Sequence, residues 1–190
     1  MNLLSIVNQA CNSAQKRKEV QLYLRQMSSI TQYVLLTGSD LGNRESNLSL
    51  ALELISARVG KVLKTSSIIE SEPWGFNSNT RFLNQAILIE TSLGPKTLLD
   101  EILEIEREIG RIRTQEQWTS RIIDVDILCS ESTIFNSERL SIPHKWLHER
   151  KFALEPLNQL VDWIHPSLNI SYAQLEVNLS TSSKVLSLTD

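Results

Sequence analysis

The order of apolar segments along this chain predicts an α+β fold. Four short apolar runs are bounded by glycine, proline or polar turn residues, which is typical of buried strands. Two other segments repeat apolar residues three and four positions apart, the spacing of a helix that buries one side. The six elements follow one another as β-α-β-β-α-β. This order predicts a ferredoxin-like sheet with helices on one face, followed by a C-terminal extension.

The first half of the pattern begins with a buried strand at 31–38, which Gly38 closes. A helix is expected to begin at Asn43, a residue that commonly caps helices, and to end at Gly60. Apolar residues between these two positions recur at helical spacing. The segment 61–71 is predicted to be the second strand.

The second half begins with a loop at 72–80, where proline, glycine, asparagine and hydroxyl residues are concentrated. Residues 81–92 are the predicted third strand. Pro95 suits the first turn of the helix that follows, and Gly110 is expected to end that helix. Residues 121–130 are the fourth strand.

The ends of the chain fall outside this pattern. Residues 1–30 carry four basic residues and one acidic residue, and we expect an N-terminal extension that is either helical or flexible. Residues 31–180 are predicted to form a single domain. Within it, 140–157 should contain a short strand, a turn and a short helix. Residues 181–190 are a polar tail.

The composition limits the classes of function. With 190 residues and a formal net charge of −3, the chain suits one domain and lacks the basic excess of a general nucleic-acid-binding protein. Cys11 and Cys129 form neither a C-x-x-C pair nor a zinc-binding spacing. No apolar run approaches the roughly 20 residues that cross a membrane. We expect a cytoplasmic monomer that binds neither nucleic acid nor membranes.

One short region concentrates opposite charges. Its members are Arg111, Arg113, Arg121, Asp124 and Asp126. Because side chains alternate along a strand, both aspartates share one face, about 7 Å apart. Two such carboxylates repel each other unless a cation lies beside them, and Mg²⁺ commonly joins carboxylates to substrate phosphates. Arginines bind phosphate oxygens. The pattern predicts a site for a metal-bound polyphosphate, with surface salt bridges as the alternative.

Several motifs in a fixed order carry a resemblance to a known family. They are LLTGSDLGNR (35–44), SEPWG (71–75), FLNQA (82–86), EREIGRIR (106–113), W..R.IDVDIL (118–128), RLSIPH (139–144) and R.FAL.PL (150–157). From about residue 34 to about residue 166, the chain resembles the 6-hydroxymethyl-7,8-dihydropterin pyrophosphokinases of folate biosynthesis. The resemblance implies transfer of the terminal diphosphate of ATP to the pterin hydroxymethyl oxygen, leaving AMP.

The resemblance also implies roles for individual residues. Asp124 and Asp126 would hold two Mg²⁺ ions, while Arg111 and Arg121 would neutralise the phosphate chain. The implied ATP-binding residues are Glu106, Arg113, Trp118, Arg139, Ser141, His144 and Arg150. The implied pterin-binding residues are Ser71, Pro73, Trp74, Phe82, Asn84 and Phe152. In this family, the loop that carries Arg113 and Trp118 closes over ATP, together with a second loop around 72–81.

The chain departs from the family pattern at two positions of interest. Asp40 stands where the family usually has asparagine, and Gln117 stands where a cation is frequent.

Two other classes of function remain open. A palm-like nucleotidyltransferase would also use a carboxylate pair and two metals, but it would release pyrophosphate and not AMP. An RNA-recognition module would share the order of elements, but its aromatic strand motif is absent from the sequence.

Overall fold

The computed structural model describes residues 30–75, 80–112 and 119–186, with side chains as far as residue 181. Nearly all of the predicted N-terminal extension therefore lies outside the described residues. Among these residues, no helix is long and apolar enough to cross a membrane.

The central element is an antiparallel sheet of five strands. The strands are β1 (Thr31–Ser39), β2 (Lys61–Thr65), β3 (Ile69–Ser71), β4 (Phe82–Thr91) and β5 (Asp124–Ser130). The order across the sheet is β2-β4-β1-β5, and β3 also pairs with β4. β1 thus lies between β4 and β5, and β5 is an edge strand.

The predicted strand at 61–71 is wrong in one respect, because it consists of two strands. Ser66 interrupts the ladder: its N–H donates to the carbonyl of Ala86, but its hydroxyl, and not its carbonyl, accepts the N–H of Ala86. A side chain that replaces the backbone in this way ends regular pairing and turns the chain. β3 then pairs with the beginning of β4.

Four α-helices lie within the described residues. They are α1 (Arg44–Arg58), α2 (Pro95–Ile109), α3 (Lys151–Asn158) and α4 (Tyr172–Leu186). The side chain of Asn43 caps α1 by accepting the N–H of Ser46 at 3.1 Å. Gly110 ends α2 with a left-handed φ of 108°, a conformation that glycine adopts without strain. The predicted helix boundaries are confirmed at both helices.

Shorter elements connect β5 to α3 and α3 to α4. They are β6 (Phe135–Asn136), β7 (Ser141–Ile142), the 3₁₀ turn Leu147–Glu149, β8 (Ile164–His165) and β9 (Ile170–Ser171). β6 pairs with β7, and β8 pairs with β9. The short strand, turn and short helix predicted at 140–157 are all present. Residues 181–186, which the sequence places in the polar tail, continue α4.

Each face of the sheet carries its own apolar core. α1 and α2 cover the first face, as the ferredoxin-like pattern predicts, and bury side chains such as Ile55 and Ile102. α3 and α4 cover the second face with residues such as Leu154 and Leu175. The predicted restriction of helices to one face is therefore wrong, because β1 is apolar on both sides and its run is buried almost throughout.

The second face is also where the predicted carboxylate pair lies. Gly38 of β1 is paired with Asn84 of β4 on one side and with Asp124 of β5 on the other. Paired residues point to the same face of a sheet. Because Gly38 has no side chain, the sheet surface is uncovered between the side chains of Asn84 and Asp124. Val125 and Ile127 point the other way, into the first core.

Gly60 is the position where the close packing of α1 against the sheet can be tested. A Cβ added there would lie 2.4 Å from the carbonyl oxygen of Glu90 and 2.8 Å from Cβ of Thr91. We expect Gly60→Ala to lower the free energy of unfolding by about 1–3 kcal/mol, because backbone must shift. Gly94 has open space around its Cα, so Gly94→Ala should cost less than about 1 kcal/mol. Urea unfolding of both variants measures this, and equal losses would contradict the packing described.

Candidate functional site

A cavity of about 570 Å³ opens on the second face of the sheet, above Gly38. One side is charged, with Arg111, Arg121, Asp124 and Asp126, and the other carries aromatic rings. The carboxylates and the aromatic rings predicted from the sequence therefore face a common space.

Three arginines neutralise the carboxylate pair. Arg111 contacts Oδ1 of Asp124, and Nη1 of Arg121 lies 3.1 Å from Oδ2 of the same carboxylate. Nη1 of Arg150 lies 3.0 Å from Oδ2 of Asp126. The two aspartate side chains are 27% and 29% exposed, so both remain open to a ligand in the cavity.

Burial and charge act against each other in this cluster. Burial raises the pKa of the Asp124 carboxyl group, but the charges of Arg111 and Arg121 outweigh it and hold the pKa below its ordinary value. Burial lowers the pKa of the Arg111 guanidinium, but the charges of Asp124 and Glu106 outweigh it and raise the pKa. Asp124 and Arg111 are therefore both ionised at neutral pH.

Glu106 attaches the end of α2 to the edge strand β5. Its side chain is 2% exposed, and Oε1 accepts the N–H of Val125 at 2.8 Å and also contacts Arg111. The N–H of an edge strand needs such a partner when it is buried. Glu106 thus holds Arg111 beside Asp124.

His144 attaches to the same edge further along. Its backbone N–H donates to the carbonyl of Leu128 at 2.7 Å. Nδ1 accepts the N–H of Trp146 at 3.3 Å, so the neutral imidazole carries its hydrogen on Nε2. Burial lowers the pKa of His144, Asp126 opposes this shift, and Arg150 adds to it. The ring is therefore neutral at pH 7.

The aromatic side of the cavity is built around Arg150. The guanidinium carbon lies 4.6 Å from the ring centre of Trp74 and 5.8 Å from that of Phe152. Arg150 is thus stacked on one ring while it pairs with Asp126, and it connects the charged and aromatic sides.

The polar edge of the aromatic side is set by Asn84. Its Nδ2 donates to Oγ of Ser71 at 2.9 Å. A Cβ at Gly38 would lie 3.1 Å from Oδ1 of Asn84 and 3.6 Å from Cδ1 of Phe82. Both side chains therefore lie over Gly38.

Most of the predicted site residues line this cavity. They are Ser71, Trp74, Phe82, Asn84, Glu106, Arg111, Arg121, Asp124, Asp126, Arg139, His144, Arg150 and Phe152. Pro73 and Ser141 do not line it, and Oγ of Ser141 donates instead to Oδ1 of Asn136 at 3.0 Å. Arg113, Gln117 and Trp118 lie outside the described residues.

Sequence reasoning did not assign every residue that lines the cavity, and those it left out include Gly38, Lys145 and Trp146. Nζ of Lys145 lies 5.4 Å from the ring centre of Trp146, whose ring centre lies 6.5 Å from that of Trp74. Gly38 could have been predicted from the sequence, because a glycine in a buried strand often marks a place where a ligand approaches the backbone closely.

Comparison with known families decides which of the possible functional classes applies. Residues 34–162 match the sequence model of 7,8-dihydro-6-hydroxymethylpterin-pyrophosphokinase (HPPK). The chain belongs to the HPPK family. The match covers all of the cavity residues named above, and membership removes the RNA-recognition and nucleotidyltransferase alternatives.

Individual relatives agree with the HPPK assignment. A 2-amino-4-hydroxy-6-hydroxymethyldihydropteridine pyrophosphokinase of Porphyromonas gingivalis is 40% identical over 135 residues, which is 70% of this chain and 92% of that protein. The enzyme of the same name from Bacillus subtilis is 40% identical over 129 residues, 67% of this chain and 76% of that protein. The folic acid synthesis protein fol1 of Pneumocystis carinii is 40% identical over 155 residues but is much longer, and the matched region is 21% of it.

Solved structures support the fold. The crystal structure of Plasmodium falciparum HPPK-DHPS with SDX-DHP superposes with a TM-score of 0.68 at 17% identity. The alignment covers 83% of this chain and 46% of that one, so this chain spans less than half of that longer protein.

The charge cluster makes a prediction about stability and pH. The pKa of Asp124 is lowered on folding, so its stabilising contribution is complete above the ordinary value of 3.8 and is lost as the pH falls through the folded value. We expect Asp124→Asn to lower the free energy of unfolding by about 1–3 kcal/mol in metal-free buffer. This difference from wild type should be constant from pH 7 to 5 and should shrink only below pH 4.

The control for this pH series is Asp162→Asn, at an exposed aspartate outside the cavity. It should change stability by less than about 0.5 kcal/mol throughout. Denaturant unfolding at each pH gives both curves. A difference at Asp124 that disappears between pH 7 and 5 would contradict the lowered pKa.

Proposed function

We propose that this chain transfers the pyrophosphoryl group of ATP to the hydroxymethyl oxygen of 6-hydroxymethyl-7,8-dihydropterin, a step of folate biosynthesis. The observation that carries the proposal is the arginine-neutralised carboxylate pair, which faces an aromatic pocket across Gly38 in a chain of the HPPK family. The pterin oxygen attacks the β-phosphorus of ATP. The bond from that phosphorus to the oxygen bridging to the α-phosphorus breaks, AMP leaves, and the hydroxyl proton is released.

The residues of the charged side fit Mg²⁺. Among the described residues, no group of three or more histidine, cysteine or acidic side chains is placed to hold a metal alone. These two mostly buried carboxylates therefore need ligand oxygens from elsewhere, and Mg²⁺ commonly takes these from substrate phosphates and water. We assign Asp124 and Asp126 to holding two Mg²⁺ ions with ATP. When bound, these ions would neutralise the phosphate charge that develops during transfer.

The arginines are assigned to the phosphate chain. Arg111 and Arg121 present guanidinium groups beside Asp124, where they can bind phosphate oxygens through paired N–H donors. Glu106 holds Arg111 in this position. Binding of a highly charged nucleotide is favoured in a partly buried site, where charge interactions are less screened than in water.

The remaining nucleotide contacts are assigned around this cluster. His144 and Arg150 lie beside Asp126, while Arg139 is an exposed side chain at the cavity. Neutral His144 can donate a hydrogen bond from Nε2 to an oxygen of the nucleotide. ATP roles for Ser141, Arg113 and Trp118 rest on the family resemblance.

The aromatic side is assigned to the pterin. Phe82 and Phe152 can stack on a flat heterocycle, and Asn84 offers Oδ1 to its ring N–H groups while Ser71 fixes the amide. Trp74 closes the pocket beside Arg150. Pro73 does not line the cavity, and its assignment to the pterin rests on the family resemblance. With the pterin stacked in this way, its hydroxymethyl group would lie near Gly38, between Asn84 and Asp124.

We also propose a fold class, a domain boundary and a cellular location for this chain. A ferredoxin-like class is supported by the strand order β2-β4-β1-β5 together with α1 and α2 on one face. We propose a single domain at 31–180 and a cytoplasmic monomer. The cytoplasmic location rests on the sequence, in which Cys11 and Cys129 form neither a C-x-x-C pair nor a zinc-binding spacing.

The reaction can be tested by separating nucleotides after incubation with ATP, Mg²⁺ and the pterin. We expect AMP to form only when all three are present. ADP would indicate a conventional kinase, and release of free pyrophosphate would indicate a nucleotidyltransferase; either would contradict the proposal.

The same assay tests the carboxylate pair. Asp126→Asn should lower kcat by about 100-fold or more, because metal ligation contributes several kcal/mol to transition-state stabilisation. Asp162→Asn should retain wild-type kcat. If folded Asp126→Asn keeps more than about a tenth of wild-type kcat at saturating Mg²⁺, the assignment is wrong.

A further inference from the structure

Asp40 is a buried carboxylate outside the charge cluster. Its exposure is 2%, although it lies immediately after β1 and is acidic. A buried carboxylate is costly unless donors satisfy its oxygens, so its partners identify its role.

The main partner of Asp40 is the backbone of Arg121. Oδ1 of Asp40 accepts the N–H of Arg121 at 2.6 Å, and the N–H of Asp40 donates to the carbonyl of Arg121 at 3.2 Å. Each residue therefore both donates to and accepts from the other. Such a reciprocal pair fixes the backbone of Arg121 in position and direction.

Neighbouring residues fasten the next position in the same way. Oγ of Ser39 donates to the carbonyl of Ile122 at 2.5 Å, and Nδ2 of Asn47 donates to the same carbonyl at 3.1 Å. The two residues that lead into β5 are thus held by the end of β1 and the first turn of α1. Arg121 then reaches Asp124 with its guanidinium.

The second oxygen of Asp40 extends the contact to the pterin side of the cavity. Oδ2 accepts a hydrogen bond from Oγ1 of Thr80 at 3.3 Å, two residues before Phe82. A carboxylate suits this position because both of its neighbours, the N–H of Arg121 and the hydroxyl of Thr80, are donors. An asparagine at this position could still accept the N–H of Arg121 through its amide oxygen. Its N–H₂ group would then donate to the hydroxyl of Thr80, since a hydroxyl can accept as well as donate a hydrogen bond.

We propose that Asp40 is a positioning residue that holds the backbone of Arg121, and through it the phosphate-binding guanidinium, in register with Thr80 beside the pterin pocket. The inference rests on the proposed function for its effect on catalysis. The claim that Asp40 holds the backbone of Arg121 rests only on the hydrogen bonds of Asp40. It also accounts for the Asp40 departure from the family's usual asparagine, because both side chains can bind the same N–H.

The first test uses amide hydrogen exchange and needs no substrate. In Asp40→Ala, the amide of Arg121 loses its acceptor and should exchange at least about tenfold faster than in wild type, whereas Asp40→Asn should stay within about threefold. The internal control is the amide of Val125, which donates its hydrogen bond to Glu106, and its exchange rate should not change. Unchanged exchange at Arg121 in Asp40→Ala would overturn the proposal.

The second test is a double-mutant cycle on kcat. Asp40→Ala should lower kcat by about 10- to 100-fold, since small displacements of a charged group are costly in transfer reactions. Asp40→Asn should restore most of this loss. In an Arg121→Ala background, Asp40→Ala should cost less than about threefold, because the group that it positions is already absent.

The outcomes separate the two proposals. Full additivity of Asp40→Ala and Arg121→Ala would overturn the positioning role while leaving the pyrophosphokinase activity intact. If wild type forms no AMP, the proposed function fails, and the exchange rates alone then decide the role of Asp40. If Asp40→Ala does not fold, Asp40→Leu and Asp40→Asn provide the comparison at similar side-chain size.

Discussion

Charge compensation at Asp124 and Asp126 is the constraint on which the rest of the site depends. Two carboxylates on one strand face would repel each other, yet three arginines from different parts of the chain pair with them and offset their charges. This arrangement explains several otherwise unrelated features. Glu106 is buried at the end of α2 because it holds Arg111, and the Arg121 backbone is fixed by Asp40. Under the proposed function, a nucleotide with its metal ions would replace these pairs with pairs of the same kinds, arginine to phosphate and carboxylate to Mg²⁺.

The helices on each face of the sheet supply different residues to this site. α1 and α2 build the first core, and the end of α2 supplies Glu106 and leads to Arg111. α3 and the turn before it build the second core and supply Arg150 and Phe152. The site lies where the second layer ends and Gly38 leaves the sheet uncovered. Substrate groups can therefore reach the strand face that carries Asp124.

Local patterns predicted those parts of the molecule that depend on neighbours in sequence. Strand alternation placed Asp124 and Asp126 on one face, and helix spacing with Asn43 and Gly110 gave the limits of α1 and α2. Contacts between distant segments left no such pattern. The pairing of Arg150 with Asp126 joins residues 24 positions apart, and the interruption of strand pairing at Ser66 depends on a hydroxyl that accepts the N–H of Ala86. The sequence pattern did not predict that helices would cover the second face, because α3 is short and follows a segment without regular secondary structure.

The measurement that tests the central claim most directly is calorimetric titration of the chain with a non-hydrolysable ATP analogue, with and without Mg²⁺. If the arginine pairs are exchanged for phosphate while the carboxylates take up metal, analogue binding should strengthen at least about 100-fold with Mg²⁺, and Mg²⁺ alone should bind weakly. Equal analogue affinity with and without Mg²⁺ would show that the carboxylate pair is not a metal site, and would contradict this account.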